Sequence, residues 1–109
     1  MAEIIDIEEI LRRIRTQANT EEIRITQHAH QEMAEEGITL DEVLEAIASG
    51  DVLENYHKHR RGACCLLNGL TKKGRPLHIV CTTTMPVLII ITVYEPKPPK
   101  WVTPAQRRQ

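Results

Sequence analysis

Ile4, Ile7, Leu11, Ile14 and Ala18 recur at spacings of three and four, which draws one apolar stripe along a helix. Glu3, Asp6, Glu8 and Glu9 load its first turns and Arg12, Arg13 and Arg15 its last, the order a helix dipole favours. The spacing predicts a helix over residues 3–18. Ile23 and Ile25 alternate with Arg24, a short extended piece. A second helix is expected from about Gln27 to Glu36, stopped by Gly37. A third starts at Thr39, where Thr39 and Glu42 fit a capping box; Leu40, Val43, Leu44 and Ile47 form its apolar face and Gly50 ends it.

The period then changes to two. Asp51–Tyr56, Ala63–Asn68, Leu77–Thr83 and Val87–Tyr94 read as four strands, the last a β-branched run suited to a sheet centre. Short connections argue for antiparallel pairing. The fold class expected is therefore α+β, with N-terminal helices packed on one face of a four-stranded antiparallel sheet and the other face left open. Three regions follow: residues 1–20 as an amphipathic helix, 21–96 as a single domain, and 97–109 as a basic tail. Pro96, Pro98, Pro99 and Pro104 make that tail extended and loosely held. Trp101, within it, is an odd residue to leave in solvent and is expected to pack on the sheet or on a partner.

A chain of 109 residues, 41% hydrophobic, suits one globular domain. No apolar run approaches the roughly 18 residues that span a bilayer, so no membrane is expected. The first residues lack the order of a signal peptide, which points to the cytoplasm. A net charge of −1 hides a polarity: residues 1–56 hold 14 acids and four bases, residues 57–109 ten bases and one acid. Either the basic half meets a nucleic acid or acidic partner, or acidic helices neutralise a basic sheet. With no Phe, one Trp and two Tyr, an aromatic stacking platform for nucleic acid is disfavoured. Cys64, Cys65 and Cys81 read as small core residues rather than a disulfide framework.

Five histidines raise the question of a metal. His28 and His30 face different ways on a helix, and His57 and His59 lie among Lys58, Arg60 and Arg61, which repel a cation; no metal or other cofactor is expected. The last hairpin offers more. A turn centred on Met85 would set His78 opposite Thr92 and Thr82 opposite Leu88, with Tyr94 on the same face as Thr92. His78, Thr92 and Tyr94 then form one polar patch, to be weighed against three ordinary residues of a solvated face. RNA cleavage without metal needs a base for the 2′-hydroxyl, an acid for the leaving oxygen and cations for the phosphate. Histidine fits either proton role, and Lys58, Arg60, Arg61, Lys72, Lys73 and Arg75 could supply charge.

Ile25-Thr26-Gln27-His28-Ala29, Met33, Gly37-Ile38-Thr39, Glu42-Val43 and Gly50-Asp51-Val52-Leu53-Glu54 resemble the family called domain of unknown function 4258. Gly74 to Val80 and Ile91 to Pro96 continue the pattern, which covers about residues 23–96. The resemblance implies a small prokaryotic toxin-type protein with a fold like the RelE and MqsR messenger-RNA endonucleases. It implies His28, His78 and Tyr94 as catalytic residues, Arg75 as a phosphate contact and Thr92 as a positioning residue. Lys58, Arg60 and Arg61 join Arg75 as expected RNA-binding positions. RNA, in some cases on the ribosome, and a cognate antitoxin are the implied partners. Relatives often carry Arg where this chain has Glu32 and Glu36, which removes two phosphate contacts beside His28. A non-catalytic RNA- or protein-binding module is the alternative. A regulatory homodimer is another, formed through residues 3–18, whose apolar stripe must be buried on this domain or on a second copy.

Overall fold

The computed structural model describes residues 7–58, 62–98 and 100–107. Along the chain run α1 (Ile7–Asn19), β1 (Ile23–Ile25), α2 (Gln27–Glu36), α3 (Leu40–Ser49), β2 (Asp51–Tyr56), β3 (Cys64–Leu70), β4 (Pro76–Thr82), β5 (Leu88–Tyr94), β6 (Trp101–Thr103) and β7 (Gln106–Arg107). The architecture is α+β. The helix limits follow local chemistry. Thr26 caps α2 by accepting from the Ala29 amide, and Gly37 closes it with φ of 64°. Thr39 and Glu42 cap each other at the start of α3.

The sheet corrects the expected four antiparallel strands. It has five, in the order β1-β5-β4-β3-β2, and β1 runs parallel to β5 with Ile23 opposite Leu88 and Ile25 opposite Ile90. Three residues carried too little pattern to count as a strand, and only tertiary pairing makes them one. Where β1 ends, α2 takes over the free edge of β5. The Thr26 amide donates to the Ile90 carbonyl at 3.0 Å and its hydroxyl to the Ile91 carbonyl at 3.1 Å. Glu32 and Glu36 then accept from the Val93 and Glu95 amides at 2.9 and 3.1 Å. The two glutamates therefore satisfy backbone donors that a sheet edge would leave open.

The core lies between the helices and one sheet face. Ile14, Ala29, Met33, Val43 and Ile47 pack over Leu67, Leu77, Ile79 and Val93. The described part of α1 packs on its own chain: Ile14 and Ala18 are buried, and Arg15 donates to the Ile47 and Gly50 carbonyls. Arg13 and Gln17 hold the β4–β5 turn through the Met85 carbonyl, each at 2.8 Å. All three cysteines are free and buried, as expected.

The tail corrects the expectation of a loosely held end and bears out that of a packed Trp101. Residues 101–103 and 106–107 form a second, two-stranded sheet, β6 with β7, and Trp101 is only 2% exposed. Its indole packs edge-on against the His78 ring on the sheet face away from the helices, with centroids 4.3 Å apart. That face is therefore covered rather than open. The large apolar area of an indole outweighs the entropy of ordering a few proline-restricted residues.

Candidate functional site

The residues that matter alternate along neighbouring strands. On β4, Leu77, Ile79 and Cys81 belong to the core, so His78, Val80 and Thr82 face the other way. The register differs from the one expected. His78 lies opposite Tyr94, and Thr92 lies opposite Val80, with a bulge between Val80 and Cys81. Cys81 opposite Ile90 puts the turn half a residue past Met85, and the bulge adds one more residue to β5, so a count from Met85 is off by two at His78. His78 and Tyr94 still share a face, because the register at His78 moved by two and the side-chain period is two. Asn68 flanks His78 on β3; Glu54 and Tyr56 on β2 lie opposite Leu66 and Cys64.

His78 is completely buried, yet both ring nitrogens have partners. Nε2 lies 2.6 Å from the Pro104 carbonyl, which can only accept, so the proton sits on Nε2. Nδ1 is then an acceptor, and the Tyr94 hydroxyl donates to it at 3.1 Å. Burial pushes the His78 pKa below its usual value, against the pull of the Pro104 carbonyl and Glu54. Burial also raises Tyr94; the nearby Trp101 indole and Arg107 oppose this, though the indole N–H does not reach hydrogen-bond geometry and is left without a partner. At neutral pH the pair is a neutral imidazole and a protonated phenol.

A second cluster adjoins it. Arg107 grips Glu54 with two hydrogen bonds, of 2.7 and 3.3 Å, and lies over the Trp101 ring at 4.7 Å. The Tyr56 hydroxyl donates to the same carboxylate. Burial and that bond push Tyr56 up to about 12. Burial raises Glu54 too, but the bonds from Tyr56 and Arg107 outweigh it and leave it below its ordinary value. Neither Glu54 nor Arg107 was singled out from the sequence. Glu54 sits inside a strand pattern and Arg107 in a proline-rich tail, and neither has a local partner that marks it.

The other expected residues scatter. His28 is exposed at the start of α2 and pairs with Glu32 at 3.3 Å. Glu32, through Val93, is what links it to the strand bearing Tyr94. Burial raises the Glu32 pKa despite the Val93 amide and His28. Thr92 is half-buried on the site's face. Lys58 is exposed in the turn after β2; Arg60 and Arg61, like His59, lie outside the described residues. Arg75 is engaged within the fold: it donates to Glu95 at 2.7 Å and to the Glu36 and Gly37 carbonyls at 2.7 and 3.1 Å. Among the described residues, no group of three or more His, Cys, Asp or Glu is placed to hold a metal ion.

Residues 25–95 match the family described as Domain of unknown function (DUF4258). The chain belongs to this family. Neither the curated proteins nor the solved structures compared with the chain gave a match. The DUF4258 match takes in His28, Glu54, Tyr56, His78 and Tyr94, while Trp101, Pro104 and Arg107 lie beyond it. The site is thus built of DUF4258 residues and closed by residues outside the match.

One consequence is a pH dependence of stability. His78 has a lower pKa in the fold than unfolded, where it titrates near 6.5. Below that value the unfolded chain takes up a proton that the folded one refuses, so stability is full above about pH 6.5 and lost as pH falls toward the folded pKa. Urea midpoints at pH 7.0 and 5.5 are expected to drop more for the wild type than for His78→Asn. Equal drops would mean that other groups carry the dependence.

Proposed function

We propose that this chain is a toxin-type endoribonuclease, RelE-like in its helix-on-sheet plan, that cuts messenger RNA by attack of the 2′-hydroxyl. The observation that supports it best is the 3.1 Å contact between the Tyr94 hydroxyl and the His78 imidazole, on the sheet face away from the core. With the Pro104 carbonyl displaced, the ring proton shifts to Nδ1 and donates to the Tyr94 oxygen. The freed Nε2 lone pair takes the 2′-hydroxyl proton as the 2′-oxygen bonds to phosphorus and the bond to the 5′-oxygen breaks, giving a 2′,3′-cyclic phosphate. Tyr94 protonates the departing 5′-oxygen and recovers its proton from the His78 imidazolium across their contact. His28, exposed beside Glu32, is left to hold the RNA at the rim. The ribosome and a small antitoxin are proposed partners on the same resemblance.

The test is incubation of labelled messenger RNA with the protein in EDTA, with and without ribosomes. His78→Ala and Tyr94→Phe are each expected to slow cutting by about 100-fold or more. RNA left intact by both the wild type and Trp101→Ala, with ribosomes present, would sink the proposal. A binding module without catalysis is the second reading. It is favoured by one observation, that both His78 nitrogens are already bonded within the protein. It requires a gel shift that weakens steeply with salt while the RNA stays whole.

A further inference from the structure

We infer that the C-terminal hairpin, residues 101–107, is an autoinhibitory strap that occupies the place of substrate at His78 and must lift before the site can act. The inference rests on the proposed cleavage, which needs a reactant oxygen at an imidazole nitrogen. That position is filled: the Pro104 carbonyl oxygen stands 2.6 Å from Nε2. The Trp101 indole lies edge-on to the same ring at 4.3 Å, and His78 retains no exposed surface. A polar oxygen and a flat bicyclic ring together fill the ground that an RNA backbone and base would need.

Three features make the strap separable from the fold beneath it. It follows the DUF4258 match, which ends at residue 95, and none of its residues belongs to the core packed between helices and sheet. It forms its own two-stranded sheet, β6 with β7, and adds no strand to the five-stranded one. Among the described residues, its one ion pair with the sheet lies at the rim, Arg107 with Glu54, whose side chains are 41% and 30% exposed. A pair with that much water around it is weak and screened by salt. The grip inside is stronger: Trp101 is buried, but its Nε1 has no hydrogen-bond partner, a cost that lifting the strap relieves.

The test reads accessibility apart from catalysis. Full-length wild type, Trp101→Ala and Arg107→Glu are treated with diethyl pyrocarbonate at pH 7, and each histidine is followed by peptide mass spectrometry. His28 and His30, both exposed, are the internal standard. In the wild type His78 is expected to react at least about tenfold more slowly than His28, and in each variant its rate is expected to rise by about tenfold. Arg107→Glu removes the rim pair and the guanidinium over Trp101 but leaves the indole itself in place, so it keeps the test open should Trp101→Ala disturb folding, which circular dichroism reports. His78 reacting as fast as His28 in the wild type overturns the strap. So does His78 staying protected in a folded Trp101→Ala or Arg107→Glu protein, because the sheet alone would then bury it. RNA cutting is followed in the same samples. An exposed His78 with uncut RNA overturns the nuclease reading and leaves the strap standing. Equal cutting by wild type and both variants, with His78 protected throughout, overturns the strap and leaves the nuclease.

Discussion

Gly69→Val is expected to lower the unfolding free energy by about 4 kcal/mol or more, one of the largest effects of any single substitution in this chain. Gly69 lies opposite Leu77 on the core face of β3, directly under α3. A Cβ there would stand 2.0 Å from the Ala46 carbonyl oxygen, 2.7 Å from its carbon and 3.0 Å from its Cα. All three atoms are backbone, so no rotamer change relieves the clash. The helix must lift instead, and it carries Val43, Ala46 and Ile47 into the core. It is also tied to the end of β3, where Ser49 donates to the Leu70 carbonyl and accepts from the Leu70 amide. Gly69→Ala carries the same first atom and is the cleaner test. Gly37→Ala is the control, because φ of 64° there penalises a side chain but nothing lies within 4 Å, and it should cost about 1 kcal/mol. Urea unfolding of the three proteins decides the matter. A Gly69→Ala protein within 1 kcal/mol of the wild type would mean that α3 and β3 are not held at contact distance.

Gly69 also shows what kind of information the sequence carries. It reads as the start of a turn, and only the packing of a helix above it reveals its use. The strongly periodic elements were legible: α2 runs from Gln27 to Glu36 and the Thr39–Glu42 capping box forms. The helical stripe of residues 3–18 fits α1 from Ile7, its earlier part lying outside the described residues. What the pattern lacked was long-range partnership. The parallel pairing of β1 joins residues 23–25 to residues 88–90, and nothing local in Ile23-Arg24-Ile25 encodes that choice. The candidate pair survived a wrong register because period two preserves the face. Glu32 and Glu36 read as two missing phosphate contacts because composition shows charge and not partners. Each is a hydrogen-bond acceptor for the edge of β5. In the tail, proline density signals extension and Trp101 signals packing, but one buried indole and one carbonyl decide where the extension goes.

Arg75 gives the second large effect and separates two uses of the same cation. As a phosphate contact it would matter only when RNA is bound. As placed, it fastens the C-terminal end of α2 to the chain after β5. Its guanidinium donates to the Glu95 carboxylate and to the carbonyls of Glu36 and Gly37, with Glu42 3.7 Å away. The two carbonyls are among those a helix end leaves without partners, so the arginine satisfies acceptors and meets the negative end of the dipole at once. Charge-assisted bonds of this kind are the stronger ones, and removing the cation leaves Glu95 half-buried without it. Arg75→Met, which keeps much of the stem, is therefore expected to cost about 2–3 kcal/mol in the absence of any RNA. Arg75→Lys should recover only part of this, since one ammonium cannot copy a planar fork reaching three acceptors. The measurement is urea unfolding of the free protein, with Lys73→Met as a control in which an exposed cation is removed. If Arg75→Met unfolds at the wild-type midpoint, the latch contributes nothing and the guanidinium is free to serve a ligand. If it destabilises as expected, Arg75 is a structural latch, and the proposed RNA contact draws on other cations of the basic half.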